Sequence, residues 1–477
     1  MQAATEQEVT MYEKHIPIFT RSVKGKFRSF KTAVLLLAFA VYFGLPWLPW
    51  ARHDGAPQAV FFDMVGRRFF IFDLVFYPQD LISLSILLFI AAALLFFVTG
   101  LVGRVFCGHF CFQTLWTDAF MWIEHFVQGE RPARARLYKQ PWNAEKLAKY
   151  GATHGLWLLL SFWTALSFVL YFGYAPELTK NFFTGQAPFV AYFSTLVMTL
   201  STYVAAGLAR EQVCTYMCPY ARFQGVMVEP ETLVVSYDAR RGEGSAGRAV
   251  ARSGLKTREE RLAKGHGDCV DCGFCVQVCP AGIDIRNGLQ YKCINCGLCV
   301  DACNTIMDSV GFPRGLIRLD SEINIESENP GKPHLDLKRL RTLGYGGAIL
   351  LMTGFLVFNI ATRSEMQLSV QPVRQPLFVI TPEGDIRNRY QIHITNKTVD
   401  EQTYHISVKG VPASALDLSG MDTVKARPGK SVMVIASVKL SPAEAQKVDE
   451  IELVVTPQNH PDKPVIKEAK FYSKTGM

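Results

Sequence analysis

The sequence predicts a multi-domain membrane protein: a five-helix transmembrane α-bundle, a cysteine-rich α+β cytoplasmic domain, and an all-β sandwich at the C-terminus. Three observations predict it. Five stretches lack any Asp, Glu, Lys or Arg and are long enough to cross a bilayer, which takes about 20 apolar residues. All twelve cysteines lie between Cys107 and Cys303. The C-terminal region reads as short alternating runs separated by turn residues. Averages alone would mislead, because 49% hydrophobic and 19% charged residues over 477 positions fit a large soluble enzyme. Those averages do exclude a disordered chain, a collagen and a small disulfide scaffold. A net charge of +8 is too modest to imply a nucleic-acid partner.

Residues 1–31 form a basic tail with Lys14, Arg21, Lys24, Lys26, Arg28 and Lys31, which the positive-inside rule keeps in the cytoplasm. The spans follow at 32–51, 81–103, 150–176, 181–209 and 342–362. Stretches such as ILLFIAAALLFFVTG (86–100) and LWLLLSFWTALSFVLYFGY (156–174) are apolar on every face, as lipid requires. The first span starts too late, and lacks the cleavage pattern, for a signal peptide. Spans two and three are joined by a connection carrying Arg104, Arg131, Arg134, Arg136, Lys139, Lys146 and Lys149. Spans three and four are joined by one carrying only Lys180. The region 210–341 is again rich in Arg and Lys. The alternation places the N-terminus inside and residues 363–477 outside. Segment 52–80, with its aromatic run RRFFIFDLVFY, then lies outside, at the interface or as a lid. Residues 240–254 read as a flexible basic linker. In the tail, RYQIHIT (389–395), TYHISV (403–408), SVMVIASVKL (431–440) and EIELVVT (450–456) alternate as strands of a sandwich of seven or so strands.

The strongest chemical signal lies in the 210–341 region. Cys269, Cys272, Cys275 and Cys279 follow C-x2-C-x2-C-x3-C, and Cys293, Cys296, Cys299 and Cys303 repeat the spacing. This is the pattern of a two-cluster bacterial ferredoxin, in which the fourth cysteine of each run ligates the other cluster. Cys269, Cys272, Cys275 and Cys303 are therefore assigned to one [4Fe–4S] cluster, and Cys293, Cys296, Cys299 and Cys279 to a second. The x2 spacing lets three thiolates converge from one loop, and the x3-Cys-Pro is expected to open a short helix that carries the fourth across. Gly273, Gly282 and Gly297 let the backbone pass close to the clusters. Tetrathiolate zinc and disulfides are the alternatives; two interlocked runs argue against the first, and a reducing compartment against the second.

Four cysteines remain. Cys107 and Cys111 follow span two, and Cys214 and Cys218 follow span four, each as C-x3-C. On a helix this spacing puts both sulfurs on one face, and both pairs fall at one membrane depth. Four thiols there suit a soft metal such as Cu(I), redox-active dithiols, or an electron relay without metal. The bland alternative is that they are buried small hydrophobes. His109, between the first pair, reads as a packing residue before it reads as a ligand, and Met217 as a lipid- or core-facing one. Arg104, Arg210 and Arg222 are explained by snorkelling, and would also stabilise thiolates. Gly242, Gly244 and Gly247 spell G-x-G-x-x-G, but no βαβ unit surrounds them, which sets nucleotide binding aside. No C-x-x-C-H occurs, which excludes covalent c-type haem.

Five segments together resemble the CcoG/FixG family, also called RdxA, of cytochrome c oxidase accessory proteins. They are RVFCGHFCFQTLWTD (104–118), REQVCTYMCPYARFQGVM (210–227), SYDARRGE (236–243), the paired ferredoxin runs, and RNRYQIHITNKT (387–398). The resemblance implies a multi-pass polyferredoxin of the bacterial inner membrane with a periplasmic immunoglobulin-like C-terminal domain. It implies a role in maturing cbb-type haem–copper oxidase by reducing Cu(II) to Cu(I). The eight ferredoxin cysteines would be the cluster ligands, and Cys107, Cys111, Cys214 and Cys218 the catalytic, copper-handling candidates. Implied partners are a cytoplasmic electron donor and oxidase assembly factors or a copper transporter; a homodimer is compatible. In one departure, Phe112 stands where the family's first pair is followed by proline, whereas Pro219 keeps the pattern after the second.

Physical logic fits this activity, since Cu(II) prefers nitrogen and oxygen ligands and Cu(I) prefers thiolates. Two rival readings are a quinol-linked subunit serving a periplasmic reductase, and a non-redox copper carrier or assembly scaffold.

Overall fold

The computed structural model describes residues 18–473 except 52–54, 78–79, 252–254, 328–332, 334, 363–364, 374, 399, 419 and 421, so Lys14 lies outside the described residues. The chain divides into two compact units, residues 1–50 with 58–356, and residues 51–57 with 357–477.

In the first unit and the segment that leaves it, five helices are long and apolar enough to cross a membrane: Lys26–Trp47, Ile82–Val102, Ala144–Leu170, Phe189–Ala209 and Leu340–Ala361. Their bounds depart from the charge-free windows where charges are neutralised inside the fold. Helix α1 (Lys26–Gly44) starts before Thr32, within the expected tail. Its Lys31 is fully buried with the ammonium 3.5 Å from Asp118, and Arg28 reaches the same carboxylate at 2.9 Å. A paired cation does not force the helix to end.

Strands β1 (Val60–Asp63), β2 (Arg68–Ile71) and β3 (Leu74–Phe76) then form an antiparallel meander. The segment expected at the interface or as a lid is thus a small sheet. Phe62 hydrogen-bonds through its amide to the Tyr171 carbonyl (2.8 Å) and stacks on the Tyr171 ring.

After α2 (Leu81–Val102) come α3 (Val105–His109), α4 (Phe112–Gln128) and α5 (Arg131–Lys139). Helix α6 (Ala144–Leu170) starts before Tyr150 because Asn143 caps it, accepting from the Lys146 amide at 2.7 Å. The Lys146 ammonium turns back to the Tyr138 and Gln140 carbonyls. The stretch expected as one span from 181 to 209 is broken. Helix α7 (Ala175–Phe183) ends, the chain turns at Gly185 (φ 78°), and α8 (Phe189–Thr202) begins after Pro188 and runs on through π-helical turns to Ala209. Helix α6 is the most buried of the spans, packed between α4 and α8.

The cysteine-rich domain comprises α9 (Pro219–Met227), β4 (Val234–Tyr237), α10 (Ala239–Glu243), α11 (Arg258–Ala263), α12 (Phe274–Gln277), α13 (Leu298–Val310), β5 (Ile317–Asp320) and α14 (Glu322–Glu326). Strands β4 and β5 pair antiparallel and flank the cysteine loops. The expected linker starts as α10 and is tied down where the Ala246 amide meets the Gly265 carbonyl at 2.8 Å. Helix α15 (Leu340–Ala361) presents its apolar surface outward.

The second unit holds β6 (Met366–Pro372), β7 (Val379–Ile380), β8 (Ile386–Asn396), β9 (Gln402–Lys409), β10 (Leu416–Asp417), β11 (Thr423–Ala426), β12 (Ser431–Leu440), α16 (Pro442–Ala445), β13 (Glu450–Pro457) and β14 (Val465–Lys470). One antiparallel sheet runs β10-β12-β8-β6 with β7 also on β8, and the other runs β11-β9-β13-β14. The four alternating runs lie inside β8, β9, β12 and β13. Along β8, Tyr390, Ile392 and Ile394 are buried while the residues between them are not; the period of two selects the core face.

Candidate functional site

The two ferredoxin runs fold alike because each loop needs backbone turned the left-handed way at matching places. Asp271 (φ 49°) and Asn295 (φ 56°) precede the second cysteine of each run, and Gly273 (φ 65°) and Gly297 (φ 72°) follow it. Asp and Asn tolerate this region best among residues with side chains, and glycine enters it freely. Each glycine is the N-cap of a helix. Both helices start before the fourth cysteine of their run, whereas the spacing predicts one that opens after Pro280. Helix α12 carries Cys275, and α13 carries both Cys299 and Cys303.

The eight thiols line two cavities. One, with about 340 Å³ of empty space, is walled by Cys269, Cys272, Cys275 and Cys303 together with Met307, Leu316 and Ile317. The other, with about 380 Å³, is walled by Cys279, Cys293, Cys296 and Cys299 together with Ile283, Ile285 and Leu298. The fourth cysteine of each run therefore stands in the other run's cavity, and Cys275 borders both. Among the described residues no three His, Cys, Asp or Glu side chains converge on a point as a single ion would need. Thiols spaced around a cavity instead fit a polynuclear cluster.

Burial pushes the Cys279 and Cys303 thiols up to about 12 and those of Cys275 and Cys293 up to about 11. Metal binding must displace those protons. Backbone N–H groups of Ala281 and Ile283 donate to Cys279, that of Asn295 to Cys293, and that of Ile317 to Cys303.

The described part of the basic tail straps these loops. The Arg21 amide donates to the Gln277 carbonyl (2.9 Å), and its guanidinium lies 4.6 Å from the centre of the Phe274 ring. A Cβ on Gly297 would fall 2.3 Å from Phe27, so this glycine admits the strap as well as the turn. At the base of α1, the Arg28 amide donates to Asp301 of α13 at 2.8 Å.

In neither of the remaining pairs do the two cysteines share the face of one helix. Cys107 is in α3, and Cys111 is the extended N-cap of α4; Cys214 is in a π-helical turn, and Cys218 is the extended N-cap of α9. Each C-x3-C pair straddles a helix break. Phe112 occupies the first position of α4 as Pro219 does in α9, so the departure from the family's proline leaves the local geometry intact.

Cross-links dock the pairs together. Gln224 of α9 accepts from the Cys107 thiol (3.1 Å) and from Arg104 (3.0 Å). Gln113 of α4 donates to the Ala205 and Arg210 carbonyls ahead of Cys214. All four thiols stand within electrostatic reach of one another. Burial pushes Cys107 and Cys214 up to about 11.

Neither Arg104 nor Arg210 snorkels. Arg104 is buried, bonded to Gln224 and to the Tyr291 carbonyl. Arg210, at φ 40°, pairs with Glu124, which also holds Arg134. Arg222 is exposed, and so is Met217. His109 is buried against Phe30 with Nδ1 unpartnered, a packing residue.

The residue that sequence reasoning missed is Gly108. A Cβ there would fall 2.6 Å from the Ile294 carbonyl oxygen and 2.9 Å from the Cys296 Cα. The Cys107–Cys111 hairpin thus lies backbone to backbone on the second cluster loop. Beside it, a cavity of about 560 Å³ is bordered by Cys214, Lys31, Arg104, Arg210 and Ala281.

Residues 209–322 match a family described as a 4Fe-4S dicluster domain, and 84–129 match a 4Fe-4S binding domain. Residues 356–474 match the immunoglobulin-like fold at the C-terminus of FixG. Protein RdxB of Cereibacter sphaeroides is 39% identical over 460 residues, covering 94% of this chain and 95% of that protein. The chain belongs to the FixG/RdxA family. Nitrogen fixation protein FixG of Rhizobium meliloti is 37% identical over 87% of this chain and 83% of its own length. Protein RdxA of Cereibacter sphaeroides is 39% identical over 84% of each. A FixG-related protein from Vibrio parahaemolyticus, known from a crystal structure, is 23% identical and covers 24% of this chain and 99% of its own, with a TM-score of 0.21. As a FixG/RdxA member with 4Fe–4S domains and five apolar helices, the chain is a membrane iron–sulfur electron-transfer protein.

Proposed function

We propose that the protein reduces Cu(II) to Cu(I) in support of haem–copper (cbb-type) oxidase assembly. The observation that carries the relay is the Gly108 contact, which seats the Cys107–Cys111 hairpin on the loop of Cys296. The cluster ligands are Cys269, Cys272, Cys275 and Cys303 for the first centre and Cys279, Cys293, Cys296 and Cys299 for the second. Bound there, [4Fe–4S] clusters supply one-electron chemistry. Cys275 borders both cavities and so keeps them adjacent, while Ile283, Ile285, Leu316 and Ile317 exclude water from between them. Cys107, Cys111, Cys214 and Cys218 form the exit, beyond which each Cu(II) takes one electron that a cytoplasmic one-electron reductant has supplied. The Lys and Arg distribution supports a cytoplasmic face for the N-terminus and the cysteine domain, and a periplasmic face for the sandwich. No residue of the sandwich is assigned a catalytic role; it supports a reading as a docking module for assembly partners.

The test is anaerobic. Dithionite-reduced protein, freed of excess reductant, is mixed with Cu(II) and a Cu(I)-selective chelator. Cu(I) should appear in step with oxidation of the clusters, and a Cys214→Ser, Cys218→Ser double variant should slow it by at least tenfold. Clusters that stay reduced in the presence of Cu(II) would remove copper as the acceptor.

A further inference from the structure

We infer that Tyr237 tunes the first centre: its hydroxyl donates to the Cys269 sulfur and raises the reduction potential of the cluster held by Cys269, Cys272, Cys275 and Cys303. The inference rests on that ligand set and does not depend on copper as the acceptor.

The two cavities differ in their walls. Among the described residues and apart from its cysteines, the second is lined by no side chain that can donate a hydrogen bond; Val235, Ile283, Ile285 and Leu298 typify it. The first is lined by two, Tyr237 and Arg286. The Arg286 guanidinium is bonded to Asp284 and Asp271, so its charge is already matched. Tyr237 is different. It is buried at the end of β4, and its hydroxyl meets no nitrogen or oxygen partner among the described residues. The group within its hydrogen-bonding reach is the Cys269 sulfur. Burying a hydroxyl without a partner is costly, and a ligand thiolate is the acceptor at hand.

The surroundings fix the hydroxyl in this place. Tyr237 pairs with Ile317 in the β4–β5 ladder, and Ile317 walls the same cavity. A Cβ on Gly242 would overlap the Tyr237 hydroxyl and ring, so glycine is what admits them. The Gly242 carbonyl accepts from the Cys269 amide at 3.1 Å, which ties tyrosine and ligand to one backbone site. Gly242 opens the G-x-G-x-x-G run, and this close packing accounts for it without a nucleotide. Reduction adds one negative charge to the iron–thiolate group. A hydrogen bond donated to its sulfur stabilises the reduced form and so raises the potential. The effect falls on the centre whose Cys272 is exposed, whereas the other centre lies against the Cys107–Cys111 hairpin. A soluble reductant thus meets the centre that Tyr237 makes easier to reduce.

The experiment compares the wild type with Tyr237→Phe, which removes the hydroxyl and keeps the ring. Both are full-length proteins, purified anaerobically in detergent and reconstituted with ferrous iron and sulfide. Each should hold about eight irons per chain, as two tetranuclear centres require. In potentiometric titrations followed by paramagnetic resonance, Tyr237→Phe should shift one centre to lower potential and leave the other in place. The shifted centre should also lose a strongly coupled exchangeable proton in electron–nuclear double resonance, a change that loosening of the fold alone would not make. Should Tyr237→Phe lose its iron, the wild type decides: one centre should show a coupled proton that exchanges into D2O ahead of the backbone amides. Full iron with both potentials unmoved, or with both moved alike, overturns the proposal, as does a wild type lacking that proton. Zinc in place of iron in the wild type overturns the ligand sets, and this proposal with them. A shifted potential without Cu(II) reduction would keep the role of Tyr237 and discard copper.

Discussion

The cysteine domain and the C-terminal sandwich solve the folding problem in opposite ways. The sandwich is closed around a mainly apolar core: Tyr390, Ile392, Ile394, Tyr404, Leu453 and Val455 are nearly or fully buried, and the core contains no cysteine. The cysteine domain has short helices, one two-stranded sheet, and a core in which Cys269, Cys275, Cys296 and Cys303 are themselves members. Apolar burial stabilises by about 25 cal/mol per Å², with no help from a ligand. A core built around thiols instead takes much of its stability from the metal that they bind. One domain should therefore depend on iron supply, and the other should not.

The largest expected effect tests that contrast directly. Chelating the iron from anaerobic protein should abolish amide-exchange protection in α12, α13 and the loops around Cys269–Cys303. Protection in β8, β12 and β13 should stay unchanged. Equal loss in both units would show that the sandwich depends on the clusters.

A smaller effect approaches from the other side. Ile392 is fully buried in the sandwich. Ile392→Ala should cost about 2–5 kcal/mol, read as a lowered thermal transition of the sandwich. Iron content and the visible absorption of the clusters should not change. A parallel loss of iron would mean that the apolar core is not confined to its own unit.

Legibility in the sequence follows the same divide, but with a limit set by chain distance. The two ferredoxin runs are readable because each loop presents its thiols within a few residues, and the strands because alternation is local. Cys303 lines the cavity of the first run, and Cys279 lines that of the second. What was hidden involves partners remote in the chain. Lys31 meets Asp118, so α1 starts earlier than a charge-free window allows. Arg210 meets Glu124, so it is interior rather than snorkelling. The meander at 60–76 was hidden for a different reason: its strands are short and aromatic on both faces, which erases the period of two. The helix break inside each C-x3-C pair has a local cause that went unread, since a cysteine in an N-cap position carries no distinctive signal.

Gly108 gives the finest test, because it joins the legible set of cysteines to the illegible one. Its own backbone needs no glycine, since it lies in α3 without a positive φ. The requirement is external: the neighbours are backbone atoms of Ile294 and Cys296, which cannot rotate away as a side chain would. Gly108→Val should therefore push the hairpin off the cluster loop at a cost of about 1–3 kcal/mol, the range for overpacking. All twelve cysteines and the sandwich remain as they were. On the proposed route, with cluster binding set by the loops and electron passage by their separation from the hairpin, the variant should keep the iron held at the two ferredoxin runs. It should slow oxidation of the reduced clusters by Cu(II), and it should alter the paramagnetic resonance signal of the centre at Cys296 while sparing the centre at Cys269. Unchanged oxidation kinetics with a folded Gly108→Val protein would mean that electrons leave the cysteine domain by a route that does not pass the Cys107–Cys111 hairpin.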